Sequence, residues 1–360
     1  MIVDSKELAK TIALLERVLP NKALDVFQTM IQLQFLPNKL IARAVSSDID
    51  LEFYFLVPND EIATVLVSAK TIGPLVKNLE GLQTNLHIKG NELELTSNNF
   101  ISRIRISKDN NYPNRTTEFN DNKSIPTWIL AKHIDKVIYA TAKEDYRGVF
   151  KGVQLEQINN NLHSYATDGY RLAHYTTEGL PGNDFKTLLT TTSADTITKI
   201  IKEKNQENLT INLKNNQFIA SFSTGKIVVN TMEGRLPDKE KILPKEYLTE
   251  ITIEPKSLLA SLERLRPLAP KFSNQINITI QNKHLEITAE NEEGRGKEEI
   301  PCQNKGILPF SIAMNLDYLK EALEANKHEV SIQFSGPNNP ILISSQYKGK
   351  YIALLMPIKN

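Results

Sequence analysis

Ser5-Lys6-Glu7-Leu8, followed by Ile12, is written three times along this chain. It returns as Ala131-Lys132-His133-Ile134 with Ile138, and again as Pro255-Lys256-Ser257-Leu258 with Leu262. A second set keeps the same period of about 124 residues: Ile72, Leu75 and Val76 recur as Ile197, Ile200 and Ile201, then as Leu319, Ala322 and Leu323. Hairpin turns agree, Gly90-Asn91 against Asn215-Asn216. Such a period is too long for a solenoid repeat and has the size of a domain. The 360 residues therefore divide into three units, expected at 1–122, 123–248 and 249–360, each large enough to bury its own core.

Working outward from the repeat, each unit reads as helix, strands, helix, strands. Ser5 to Leu19 carries Leu8, Ile12 and Leu15 on one face, with Asp4 or Ser5 available as a cap. Strand-like runs follow at Thr29 to Phe35, Leu40 to Val45 and Leu51 to Val57, then a helix from Ser68 to Leu82 that Gly73-Pro74 should kink or shorten. The alternating run His87 to Leu95 turns at Gly90-Asn91 as a hairpin does. The spacing predicts further helices at Leu130 to Ala142, Ser193 to Lys204, Pro255 to Leu265 and Asn315 to Ala325. It also predicts strands over Leu209 to Phe222 bent at Asn215-Asn216, and a closing hairpin, Val330 to Phe334 and Ile341 to Ser345, around 336–339. Strands interleaved with two helices per unit imply an α+β fold with the helices on one sheet face.

Hydrophobic residues make up 40% and charged residues 24%, ordinary for a globular protein. No stretch has the length and apolarity of a membrane span, and the opening Met1-Ile2-Val3-Asp4 has no secretory pattern, so a cytoplasmic location is expected. The single cysteine, Cys302, excludes an internal disulfide, fits a reducing compartment and reads as merely buried rather than reactive. The net charge of +1 says nothing in sum, so any attraction for an anionic partner must come from placement.

Placement is informative. With Leu8 at zero and about 100° per residue, Lys6, Lys10 and Arg17 fall near 160°, 200° and 180°, opposite the core. Lys132, Lys136 and Lys143 take the same angles about Ile134, and in the third unit Lys256 and Arg264 lie near 160° and 240°, with Ala260 at the remaining place. Lys70 and Lys77, then Lys199 and Lys202, stand on the outer faces of the second helices, whereas the third unit has Asp317, Glu321 and Glu324 there. Lysines on one helix read as solvation; the same placement on five of six helices reads as a shared basic surface. It would contact phosphates without reading bases, and no interleaved aromatics indicate stacking on single strands.

Catalytic signatures are missing. The six histidines are dispersed, without His-Glu-x-x-His or a His/Cys cluster, so neither a metal site nor a cofactor is expected. Thr224-Gly225-Lys226-Ile227 lacks the rest of a phosphate loop, Gly294-Arg295-Gly296 does not complete a dinucleotide fingerprint, and no Gly-x-Ser-x-Gly occurs.

Three segments are singular. Ala166-Thr167-Asp168-Gly169-Tyr170-Arg171-Leu172-Ala173 reads as strand, turn, strand; Glu233-Gly234-Arg235-Leu236-Pro237-Asp238 and the apolar tail Leu354-Leu355-Met356-Pro357-Ile358-Lys359-Asn360 have no counterparts. Together with Leu243-Pro244 and the triple repeat, they make the chain resemble the bacterial sliding clamp, the beta subunit of DNA polymerase III. The resemblance spans the whole chain.

The resemblance implies a head-to-tail homodimer, six domains in a ring around duplex DNA with helices lining the hole, and no catalysis. Size agrees: domains about 35 Å across leave a hole of about 5 Å when three close and roughly 35 Å when six do, against a duplex of roughly 20 Å. It also implies a groove between the second and third domains for a partner peptide, carried by the polymerase III alpha subunit, the clamp-loader delta subunit, other polymerases and repair proteins. Thr167, Gly169, Tyr170, Arg171 and Leu172 would form one wall, Pro237, Lys241 and Ile242 another. Leu354, Met356, Pro357 and Ile358 would close it, flanked by Arg147 and Phe150. Lys241, Ile358 and Lys359-Asn360 depart from what many relatives carry. Ile104 and Ile106 would meet Leu268 of a second copy, beside Pro267. The competing readings are a monomeric peptide-binding scaffold whose lysines only solvate it and, more remotely, an enzyme acting through Asp168.

Overall fold

The computed structural model describes residues 1–20, 22–108, 111–113, 123–204, 208–214, 216–281, 283–306, 310–347 and 349–359. Asn215, Asn360 and the end of the first expected unit, 114–122, therefore lie outside the described residues. Six helices are present among those described: α1 Ser5–Glu16, α2 Ala69–Lys77, α3 Thr127–Asp135, α4 Thr191–Lys204, α5 Pro255–Leu265 and α6 Leu316–Glu324.

The repeat seen in the sequence is a repeat of element order. Each third runs strand, helix, four strands, helix, three strands, the last third adding a short strand Gln303–Gly306. Pairing repeats as well. In each third the first strand pairs with the sixth, which continues through the seventh to the eighth; the fifth pairs with the second, which continues through the third to the fourth. All pairs are antiparallel. The fold is thus mixed α and β with few helices and antiparallel sheets, as expected.

The chain packs as two units, Met1–Trp128 with Thr196–Thr231, and Ile129–Asp195 with Met232–Asn360. The second repeat is divided because its two sheets are continued by strands of different neighbours. In unit 1, the fourth strand of the first repeat, Ile49–Phe55, pairs with the eighth of the second, Gly225–Asn230, completing a 12-stranded sheet. A Cβ on Gly225 would sit 2.2 Å from the Glu52 carbonyl, so the junction requires glycine. In unit 2, the fourth strand of the second repeat, Arg171–Thr177, pairs with the eighth of the third, Lys350–Leu355, in a nine-stranded sheet.

Helix ends follow local chemistry. The Asp4 carboxylate accepts from the Glu7 N–H at 2.8 Å and starts α1, which buries Leu8, Ile12 and Leu15. Pro74 lies inside α2, which is shorter than the apolar spacing suggests. A Cβ on Gly73 would meet only the Glu16 carboxylate, at 1.8 Å, the movable end of a side chain on the neighbouring α1. The main correction concerns α3, expected to reach Ala142 but ending at Asp135. A 3-10 turn, Ile138–Ala140, takes over, and the Thr141 hydroxyl donates to the Ile138 carbonyl at 2.8 Å. Lys136 and Lys143 therefore do not share a helical face with Lys132.

Candidate functional site

The residues at which the resemblance puts a partner groove lie in unit 2, around a hairpin. Asn161–Thr167 and Arg171–Thr177 pair antiparallel, and 168–170 make the turn. The Asp168 carboxylate shapes it, accepting from the N–H groups of Tyr170 and Arg171, each at 2.9 Å. The Thr167 hydroxyl donates to the Arg171 carbonyl at 2.6 Å and accepts from the Gly169 N–H at 3.1 Å. Gly169 has φ +90, and a Cβ there would have only Arg147 Nη1 nearby, at 3.8 Å. Glycine is thus required by the backbone conformation and not by crowding around the missing side chain.

Beside this turn lies an apolar cluster. Tyr165, Leu172, Leu188, Leu236 and Leu354 are buried, and Val149, Phe150, Met232, Leu243, Leu342 and Met356 pack against them half-buried. Leu354 is there because the last strand pairs Leu172 with Leu354. The Met356 N–H donates to the Tyr170 carbonyl at 2.9 Å, which fixes the tail across the turn. The Tyr165 hydroxyl donates to the Pro237 carbonyl at 3.1 Å and ties down the segment carrying Leu236. A short 3-10 turn, Lys239–Lys241, follows, capped by Asp238, with Lys241 and Ile242 on the outside. Tyr170 is 53% exposed and lies 5.2 Å from the Arg147 guanidinium. The result is a half-covered apolar floor with a polar, aromatic rim, suited to an extended peptide with large apolar side chains.

Phe150, Leu172, Leu354 and Met356 thus belong to the floor; Thr167, Gly169, Tyr170 and Arg147 form the turn and rim. Pro357 is buried, and Ile358 runs on, its N–H donating to the Ala313 carbonyl at 2.8 Å. Arg171 does something other than line the groove. Its side chain is 1% exposed, its Nε lies 3.0 Å from Asp168, its Nη1 pairs with Glu321, and its guanidinium stands over the Tyr318 ring at 4.4 Å. It is a strut under the turn. Tyr165, Leu188, Met232 and Leu342 have no mark in the sequence beyond strand alternation, whereas Leu236 and Leu243 stood inside singular motifs.

The cations divide by unit. In unit 1, Lys6, Lys10, Arg17, Lys70, Lys77, Lys199 and Lys202 are all exposed, as expected. In unit 2, Lys256, Lys143 and Arg264 are exposed, but Lys143 and Arg264 face carboxylates and Lys132 and Lys136 are half-buried. Arg264 Nε and Nη2 donate to Glu298 at 2.6 and 2.8 Å. Lys132 is half-buried over the Tyr175 ring at 5.0 Å. Lys136 donates to the Ala325 carbonyl and to Asn326 Oδ1 at 3.3 Å, and burial pulls its pKa down to about 8. It caps the end of α6. The acids of α6, anomalous in the sequence, are paired: Asp317 with Arg266 at 2.5 Å, Glu321 with Arg171 and with Lys143 at 3.8 Å, Glu324 with Lys320 at 3.6 Å.

Sequence models of the DNA polymerase III beta subunit match twice, the central domain over residues 124–238 and the C-terminal domain over 240–359, together most of the chain. The chain belongs to the beta sliding clamp family. Among clamp relatives, that of Synechococcus elongatus is 26% identical over 64% of this chain and 63% of its own length, and that of Synechocystis 24% over 65% and 64%. Those matches thus span slightly less than two thirds of either relative; the Rickettsia bellii clamp matches at 23% over 100% of this chain and 99% of its own. The fold is that of the clamp structures. The beta subunit of Thermotoga maritima superposes with a TM-score of 0.93 at 21% identity, covering 100% of this chain and 99% of that one; that of Pseudomonas aeruginosa gives 0.92 at 20%, covering 100% of both.

Of the chain-to-chain candidates, Ile104 is buried within its own unit, while Ile106 is half-buried. On the same strand, Phe100–Ser107, the outward apolar residues are Phe100 and Ile101, which the sequence motif did not single out. Leu268 is half-buried over Gly294 and Gly296.

Proposed function

We propose that two copies of this chain close head to tail into a ring of six domains, three from each chain at 1–122, 123–248 and 249–360, that encircles duplex DNA. The strand pairing carries this reading. Twice within the chain, the fourth strand of one repeat pairs antiparallel with the eighth strand of the next. Two strands remain for which that rule has no partner in the chain. The fourth of the third repeat, Gly294–Pro301, is outermost in its sheet, and the eighth of the first, Phe100–Ser107, meets the fifth strand only through Ile106 and Ser107. Joining the first edge of one chain to the second edge of another applies the same rule a third time. A head-to-tail contact of this kind either closes or propagates. Closure at six domains leaves a passage of roughly 35 Å.

Such a ring holds DNA by topology. Exposed lysines on the helices attract phosphates without reading sequence, so the ring slides, and escape requires opening an edge. The groove takes the clamp-binding peptide of the polymerase III alpha subunit, the loader delta subunit, other polymerases or repair proteins, keeping the partner at high effective concentration on DNA. No catalytic role falls to Asp168, whose carboxylate is occupied by the turn and by Arg171. Retention on closed circular DNA, lost once the circle is cut and its ends are free, is the expected behaviour; equal retention on both sinks the topological mechanism. A sedimentation mass near 40.7 kDa at micromolar concentration would favour the monomeric scaffold.

A further inference from the structure

Away from the groove floor, on the sheet face of unit 2, three donor atoms converge. His163 Nδ1 lies 3.0 Å from Thr176 Oγ1 and 3.3 Å from His174 Nε2, and Thr176 Oγ1 lies 3.2 Å from His174 Nε2. Strand register brings them together: His163 stands opposite Thr176, and His174 is opposite Tyr165 on the same hairpin. The three edges form a nearly equilateral triangle. Each edge is within hydrogen-bond range, and the two imidazoles lie within 13° of parallel with ring centroids 5.5 Å apart. A tetrahedral metal with bonds of about 2.0–2.1 Å holds its ligands about 3.3–3.4 Å apart, close to this spacing.

A fourth group completes the picture. Lys239 Nζ lies 3.1 Å from His174 Nε2, so a cation already faces the triangle. It comes from the short turn Lys239–Lys241. Glu156 stands opposite His163 on the neighbouring strand but pairs with Lys186 at 3.3 Å. His174 is 8% exposed. Burial, and then the nearby Lys239, push both imidazoles below their ordinary range, His174 to about 3, which leaves them neutral as metal ligation requires.

We propose that His163 Nδ1, His174 Nε2 and Thr176 Oγ1 form one face of a binding site for a borderline divalent transition metal such as Zn²⁺ or Ni²⁺, with Lys239 as the internal cation a metal displaces. The two imidazoles supply the affinity; the hydroxyl is a weak third ligand, and water completes the shell. The site is separate from His284, Glu286 and Glu299, whose ligand atoms also lie within 4.8 Å of one another. There Lys297 bridges the two carboxylates at 2.7 and 2.9 Å on an exposed face.

Calorimetric titration of the untagged full chain with zinc chloride and with nickel chloride tests this. One ion per chain is expected, and His163→Gln should weaken it by about tenfold or more, the usual effect of losing a ligand or its close support. Lys239→Met should tighten it by removing the competitor, an outcome that an unfolded variant cannot mimic. His284→Gln should leave it unchanged. Absence of binding, indifference to His163→Gln, no gain in Lys239→Met, or loss in His284→Gln would each overturn the assignment.

Discussion

Arg171→Ala separates a strut from a wall. The guanidinium is all but sealed, 1% exposed, against an Asp168 side chain at 10% and Glu321 at 29%. Removing one member of a buried pair costs about 3–5 kcal/mol because the remaining charge is stranded. Two features reduce that here. Asp168 keeps its two backbone donors at 2.9 Å, and Glu321 is partly wet with Lys143 at 3.8 Å. The lost stacking on Tyr318 and Tyr139 adds back some of the difference. A net loss of about 2–3 kcal/mol follows, or roughly a hundredfold loss of protection at one decade per 1.4 kcal/mol. Hydrogen exchange read by mass spectrometry is the assay, with the loss expected over 165–175 and 351–356, since those strands pair through Arg171 and Leu355. Arg171→Met keeps the stem and should recover part of it. Partner-peptide affinity should fall in parallel. Unchanged protection with lost affinity would refute the strut and restore Arg171 to the groove wall.

Met356→Ala should weaken peptide binding by at least about 1 kcal/mol without altering the unfolding of unit 2, because its N–H bond to Tyr170 is retained; calorimetry and urea titration check both halves. Gly169→Ala should cost about 1–2 kcal/mol from its positive φ alone, read in the same titration, since no atom blocks the added methyl. His133 is fully buried between Ser164 and Thr177, and burial lowers its pKa from 6.5 to about 3. The unfolded chain takes up that proton near 6.5 and the folded chain only near 3, so stability falls as pH drops through this window, by up to about 1.4 kcal/mol per unit. Urea midpoints at pH 7, 5 and 4 should show a shallower slope in His133→Gln. In the outer strand Phe100–Ser107, the Ile106 N–H points inward to Asn91, so alternation turns the Ile101 N–H outward. Ile101→Pro should therefore leave the fold intact and shift sedimentation toward 40.7 kDa.

Much of this was legible in the sequence because it rests on local chemistry. The closing hairpin Val330–Phe334 and Ile341–Ser345 falls where alternation and the Gly-Pro-Asn-Asn turn put it, and α5 spans the predicted residues. The end of α3 was not legible. Val137 and Ile138 continue its apolar rhythm, so no local pattern marks the stop; just past it Lys136 donates to the Ala325 carbonyl at the end of α6. The groove shows the same division. Leu172, Leu354 and Met356, which the motifs single out, share one apolar cluster, but the contacts of Arg171 depend on Glu321, 150 positions away, which no local pattern announces. His163 and His174 looked dispersed only because the hairpin that superposes them had not yet been folded.

The middle repeat lends one of its sheets to each neighbour, and this makes a repeat a unit of inheritance without making it a unit of folding. A fragment ending at residue 122 would leave Ile49–Phe55 with an unsatisfied flank, and one beginning at 249 would do the same to Lys350–Leu355. Such cuts should yield sticky, poorly behaved pieces, whereas fragments that respect the shared sheets have no contiguous stretch of chain to be made from.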